Sequence, residues 1–279
     1  MGQFTYPPEP DNLSKMRFFL CLTSLLLSFL YWGCSSIKRK PLHILSMEQM
    51  EALARPVFLD FLDSRPHLPQ GQQKQLLLCV FRNLIESLDN SKLSLKWELL
   101  TLDTGEAHAI GLPGGKMIYA RGLSSLANNA DLVAGVMAHL MGHITLQHAN
   151  ERISQALAVG VGFSLSELLI HGSDRGTRMN TFLLGSLGVS GGLKYGFSRE
   201  HEREADEFAT QLMARAGFDP RGLRDLLHKM TYEDEKLLPE FFKLHTLSLS
   251  RLRETERQAA RSLSSYRKAI KGSLNSKCW

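Results

Sequence analysis

Apolar residues recur at helical spacing over Met47–Leu62, and again over Gln72–Leu88 as the stripe Leu76, Leu77, Val80, Phe81 and Leu84, with Pro66 and Pro69 breaking the chain between them. From Ser94 the period changes to two, as in Leu95-Lys96-Trp97-Glu98-Leu99. The Asp103-Thr104-Gly105 turn follows, then a second short strand, then a third at Lys116–Ala120 after Pro113-Gly114-Gly115. These three segments predict a small antiparallel sheet. Asn128 and Asn129 are N-cap candidates for a long helix from Ala130 to Gln155, whose stripe Val133, Met137, Leu140, Ile144 predicts burial along one side. Residues 156–193 are Gly-rich and apolar but interrupted by Glu167 and His171, which suits a buried helical hairpin, with a gate or a membrane-docking hairpin as alternatives. A further helix is predicted over Arg199–Ala216, closed by Gly217 and Pro220, and the C-terminal part reads as shorter helices. The pattern is that of an α+β fold, mainly α, with no internal repeat.

Composition adds boundaries to this picture. The chain has 279 residues, 43% hydrophobic and 22% charged, an ordinary globular balance that excludes wholesale disorder and collagen-like repetition. Its net charge of +5 lies partly in the run Lys38-Arg39-Lys40 and forms no aromatic-interleaved basic stripe, so nucleic acid is not an expected partner. At the N-terminus an apolar run, Phe18–Trp32, follows Lys15 and Arg17 and is too short for a bilayer span of about 20 residues. It ends at Gly33-Cys34-Ser35-Ser36, which looks like a bacterial lipoprotein processing site with Cys34 as the lipidated residue. The predicted location is therefore the bacterial cell envelope, lipid-anchored and facing the periplasm. A single uncleaved N-terminal membrane anchor flanked by Lys38–Lys40 is the alternative. Cys79 and Cys278 lack metal-ligand spacing, and they are able to form one disulfide in an oxidising compartment.

The chemistry candidates sit on the two long helices. In Val136-Met137-Ala138-His139-Leu140-Met141-Gly142-His143 the two histidines stand four apart, so their imidazoles leave one helix face one turn apart and can bind one Zn²⁺ together, although a pair of hydrogen-bonded core histidines has the same spacing. On the second helix Glu202 and Asp206 share the same spacing. One carboxylate can complete a two-His-one-Glu site while the other orients a ligand histidine. His148 lies about half a turn round an unbroken helix from His139, which makes it a packing or capping residue.

At these residues the chain resembles the HtpX/BepA/Oma-type zinc metallopeptidases, which are gluzincins. The similarity runs from Trp97 to Leu252 and rests on four segments in order. Leu112-Pro113-Gly114-Gly115, followed by Lys116 to Gly122, resembles the family's substrate strand ahead of the active-site helix, with His108 where the family has Asn. His139 to His143 falls on its HExxH, with His148 five residues beyond. Ser198-Arg199, Glu202 and Ala205-Asp206 match SRxxExxAD, followed by Ala216-Gly217-Phe218-Asp219-Pro220. His245 and Arg251 resemble a His-Pro-x4-Arg element in which Thr246 replaces the proline. The resemblance implies a zincin-like domain with Zn²⁺ held by His139, His143 and Glu202, Asp206 behind them, and extended or misfolded polypeptides as substrates. It leaves His245 as a fourth ligand, an oxyanion donor or a helix-end residue.

The departure from the family is at Leu140. It stands where the glutamate of HExxH takes a proton from the attacking water, and general acid-base catalysis is worth about 10²- to 10⁴-fold. Glu200, His201 and Glu204 are conceivable substitutes, but none falls on the Glu202/Asp206 face. The expectations are a zinc endopeptidase of the envelope with its usual base missing, or a zinc-binding pseudoprotease that grips polypeptides by β-augmentation. A metal-free structural lipoprotein would have no reason to keep the ligand set together. The expected organisation is an anchor segment over residues 1–34, a helical part over 35–93, a metallopeptidase-like domain over 94–260 and a polar tail over 261–279.

Overall fold

The fold is described from a computed structural model, which covers residues 40–89, 95–159, 197–232, 245, 247–272 and 278, with side chains of 156–159 and 272 excepted. The anchor segment, Cys34 and most of the Gly-rich stretch 156–193 lie outside the described residues. Residues Met1–Pro41 and Leu42–Trp279 form separate units, and everything below concerns the second.

Among the described residues this unit has seven helices, α1 (Met47–Ser64), α2 (Gln72–Glu86), α3 (Ala130–Thr145), α4 (His148–Val159), α5 (Arg199–Arg215), α6 (Arg221–Tyr232) and α7 (Leu249–Gly272). Its strands are β1 (Glu98–Leu102), β2 (Ala109–Leu112) and β3 (Lys116–Ala120). Helix α1 begins at Ser46, whose hydroxyl accepts from the Gln49 amide while Gln49 reaches back to the Ser46 amide, a reciprocal cap. Helix α5 opens the same way on Ser198 and His201, and closes at Gly217, whose φ of 79° suits the left-handed residue past a helix end. Asn129 caps α3 through the Leu132 amide at 2.9 Å.

The sheet is mixed rather than antiparallel throughout. Its order is β1-β3-β2, with β2 antiparallel and β1 parallel to β3. A meander would keep neighbours in sequence adjacent in space; here residues 103–108 carry the chain one strand further, and the Pro113–Gly115 turn folds β3 back into the gap. Side chains alternate between two cores. Met117, Tyr119 and Ala109 face α2, α3, α5 and α6, whereas Ile118, Ala120, Ile110, Leu112, Leu100 and Leu102 face α1 and α4. The outer edge of β1 is partly occupied, since Leu68 and Asp103 amides bond to Thr101 and Pro66 carbonyls. Among the described strands β2 is thus the open edge.

Helix α3 is the axis of the domain. Every residue from Leu132 to Ile144 is buried, on all sides and not only along the expected stripe. It ends at Thr145, ten residues short of the expected Gln155, because Gln147 adopts φ 56° and starts α4 in a new direction. At the other end of the chain, α7 continues to Gly272, well into what reads as a tail. Cys278 is buried and bonded to Cys79 of α2.

Candidate metal centre

Two packing details bring the chemistry together. A Cβ built on Gly142 of α3 would stand 3.0 Å from both the Cα and the carbonyl oxygen of Ala205, so only glycine lets α3 and α5 cross this closely. The crossing sets His139 and His143 against Glu202 and Asp206. His245 then enters from the segment ahead of α7.

Four side chains, His139, His143, Glu202 and His245, each offer one donor atom, and the four atoms lie within 4.8 Å of one another. His139 Nε2 is 3.1 Å from His143 Nε2 and 3.0 Å from His245 Nδ1. Glu202 Oε1 is 2.9 Å from His245 Nδ1 and 3.5 Å from His143 Nε2, while its Oε2 is 3.6 Å from His139 Nε2. All four residues are buried. A tetrahedral ion with bonds of about 2.0–2.1 Å needs donor atoms about 3.3–3.4 Å apart, and these separations bracket that value. Three imidazole nitrogens converging on one carboxylate are poorly satisfied by protons alone, and they form the N/O set that suits Zn²⁺. The residues present therefore fit the metal. His245, left open among three roles by the sequence, belongs with the candidate ligands.

Electrostatics favour the ligand protonation states. Burial and the neighbouring His139, His245 and His148 rings hold His143 well below the usual imidazole range. Burial also lowers His245, although Glu202 opposes the shift. For Glu202 burial acts upward, but Arg251 and then His245 more than reverse it and keep the carboxylate ionised. Asp206 follows the same logic, with burial overcome by Arg251 and His139, so that it lies well below the ordinary range. Arg251 holds Asp206 by Nε and Nη2 at 2.7 and 2.8 Å and meets Glu202 Oε2 through Nη1 at 2.5 Å. Thr255 adds a hydroxyl to Asp206 at 3.1 Å. Asp206 Oδ1 in turn is 2.8 Å from His139 Nδ1, the orienting contact expected of it.

Leu140 is 3% exposed and belongs to the main core. Its Cβ is 3.3 Å from where a Cβ would stand on Gly111 of β2, so the side chain fills the helix–strand interface. The conceivable substitute bases are engaged elsewhere: Glu200 with Arg203 at 2.7 Å, His201 with Glu151 at 3.2 Å and Glu204 with His148 at 3.2 Å. Of the segment Leu112-Pro113-Gly114-Gly115, Leu112 ends the edge strand β2 and the rest forms its turn. A small apolar cleft runs beside this edge to His143, lined among others by Met47, Met50, Gly111, Pro113 and Ile144. His108 is buried before β2 and lies 3.6 Å from Glu106.

Three residues near the centre were not assigned to it by sequence reasoning. Phe197 covers it, with its ring 3.9 Å from that of His143 and 5.5 Å from that of His245; adjacency to the Ser198 cap was the available signal. Thr255 lies one turn after Arg251 on α7. His148 is not turned away, because the break at Gln147 brings its Nδ1 to 3.0 Å from His143 Nδ1.

Known proteins align with this region. The profile described as Peptidase family M48 matches residues 71–259. The mitochondrial metalloendopeptidase OMA1 of Schizosaccharomyces pombe is 31% identical over 164 residues, 58% of this chain and 46% of that protein. The beta-barrel assembly-enhancing protease of Escherichia coli is 27% identical over 57% of this chain and 33% of its own length, and the metalloprotease YcaL of the same species is 23% identical over 53% and 56%. The matched part of this chain thus spans from a third to just over half of each relative.

Proposed function

Since the chain belongs to peptidase family M48, whose members depend on zinc, we propose that it binds zinc through His139, His143, Glu202 and His245 and holds extended polypeptides along β2 with little or no turnover. The observation that carries this reading is Leu140, buried in the core at the one position of the His139–His143 turn where the family's glutamate would act. Zinc, when bound, supplies Lewis acidity toward a carbonyl oxygen or a water. Asp206 and Arg251 fix the ligand set, Glu202 neutralises part of the ion's charge, and the open edge of β2 offers backbone hydrogen bonds to an extended segment. Among the described residues, the position from which the family's glutamate would accept a proton from water and deliver it to a leaving amine is held by Leu140. If all four donors held the ion, no coordination position would be left for a water or a carbonyl oxygen, as in structural rather than catalytic zinc sites.

The reading includes a lipid anchor at Cys34 and a cell-envelope location. It is supported by the Gly33-Cys34-Ser35-Ser36 sequence and by the Cys79–Cys278 bond, of a kind that persists in oxidising compartments. No helix among the described residues is long and apolar enough to cross a membrane.

The test compares zinc-loaded wild type with Leu140→Glu on an unfolded substrate such as casein. The wild type should bind about one zinc per chain, bind casein and cleave it slowly or undetectably. Leu140→Glu should raise cleavage by about 10²- to 10⁴-fold if His245 yields its position to substrate. Melting curves and zinc content of the variant show whether a carboxylate at this buried site has unfolded the domain. Robust zinc-dependent cleavage by the wild type, unchanged in Leu140→Glu, overturns the reading.

A further inference from the structure

We propose that His148 is a positioning residue for His143, linking that ligand to the charge of Glu204 as Asp206 acts directly on His139. The inference rests on the zinc site proposed above. Its first support is backbone conformation. Gln147 is the only non-glycine residue with positive φ among the described residues, at 56°, a region that non-glycine side chains enter rarely and at a cost. That conformation ends α3 and turns the first residue of α4 back under it. An unbroken helix would put His148 on the far side.

The turn is held in place by side chains. Asn150 donates to the Gln147 side chain at 3.2 Å and to the Leu45 carbonyl at 2.8 Å. His148 is fully buried, and its ring stacks on that of His201 at 4.4 Å, which Glu151 holds from the other side. Such a polar ring is costly to bury unless both nitrogens are used. They are used: Nδ1 lies 3.0 Å from His143 Nδ1, and Nε2 lies 3.2 Å from Glu204 Oε2.

The proton positions follow from the chemistry. His143 turns Nε2 toward the other donors, and to bind a cation there it must carry its proton on Nδ1. That proton needs an acceptor, which is His148 Nδ1. A neutral His148 accepting at Nδ1 must carry its own proton on Nε2, where Glu204 accepts it. One chain of two hydrogen bonds therefore fixes the tautomers of both rings and makes His143 a more basic ligand. Glu204 is 27% exposed at its side chain, so the relay ends at the surface.

The full chain tests this by zinc competition against a chromophoric chelator. His148→Ala should weaken zinc binding by about 10- to 100-fold, with Glu204→Gln shifted in the same direction by less. His148→Asn, whose Oδ1 can accept where Nδ1 stood, should recover most of the loss. Cobalt loaded in place of zinc should show displaced d–d absorption bands in His148→Ala and restored ones in His148→Asn. Equal zinc affinities for the Ala and Asn variants, or wild-type affinity in both His148→Ala and Glu204→Gln, overturn the relay while leaving the zinc site standing. If His148→Ala does not fold, Glu204→Gln decides: an unchanged affinity overturns the proposal. A wild type that binds no zinc overturns the site itself, a result the variants cannot mimic.

Discussion

Arg251 grips Asp206 in a two-pronged contact of 2.7 and 2.8 Å, and both side chains are almost wholly removed from solvent. Because its remaining nitrogen meets Glu202, one cation from α7 compensates two buried carboxylates of α5. Removing it leaves both carboxylates in the interior without their guanidinium, with only Thr255 and the histidine rings beside them. Arg251→Ala should destabilise the metal-free protein by about 3–5 kcal/mol in urea unfolding. Arg251→Lys should recover only part, since an ammonium cannot span both carboxylates in the fork geometry. A loss below about 1 kcal/mol for the alanine variant would refute this account of the pair.

Gly142 makes a second prediction, since the α3–α5 crossing that aligns the donor set depends on it. Gly142→Ala sets a methyl 3.0 Å from the Ala205 backbone, and α5 has to move outward with Glu202 one turn away. The expected cost is about 1–3 kcal/mol of stability, accompanied by weaker zinc binding. Gly105→Ala, where a Cβ would meet nothing within 4 Å, is the control and should leave both unchanged. Equal behaviour of the two variants would count against the crossing as the determinant of the site.

Much of this arrangement was legible along the chain because it is written locally. Helices α1 and α2 announce themselves by apolar spacing, and α5 by Gly217 and Pro220 at its end. His139 with His143, and Glu202 with Asp206, are pairs whose spacing alone predicts a shared face. What was not legible depends on tertiary structure. The strand order β1-β3-β2 is decided by how residues 103–108 cross the sheet, which no periodicity records. The break at Gln147 bears neither glycine nor proline, so the pattern runs through it and His148 is misplaced. His245 meets Glu202 across 43 residues of sequence, and only its likeness to a family element drew notice to it.

The bond between Cys79 and Cys278 joins α2 to the end of the chain across a sequence separation of 199. Closing so long a loop restricts the unfolded chain, so losing the bond should destabilise the protein by about 2–5 kcal/mol. The double variant Cys79→Ser, Cys278→Ser should show this loss, and reductant should lower the wild type toward it without affecting the variant. Mass spectrometry of unreduced, alkylated protein should find neither cysteine labelled. Full labelling of both would show that the bond does not form.

Acid should unfold the metal-free protein early, and the sign follows from the shifts around the centre. His143 and His245 lie below the ordinary imidazole range in the folded state, chiefly because burial opposes their charged form. In the unfolded chain they return to about 6.5. The unfolded state therefore takes up protons first, and the stability present above about pH 6.5 is lost as the pH falls below it, by up to about 1.4 kcal/mol per pH unit for each proton. Glu202 and Asp206 are lowered as well, so their contribution is fully present above the ordinary carboxylate range and is lost progressively as the pH falls from that range toward their lower folded-state values. Both pairs push in the same direction, the histidines first and the carboxylates at lower pH. Denaturant midpoints measured on metal-free protein at pH 8, 7, 6 and 5 should stay level at the upper end and then fall, and His143→Gln should flatten the upper part of the decline. A profile that is level down to pH 5 would contradict the burial of neutral histidines at this centre.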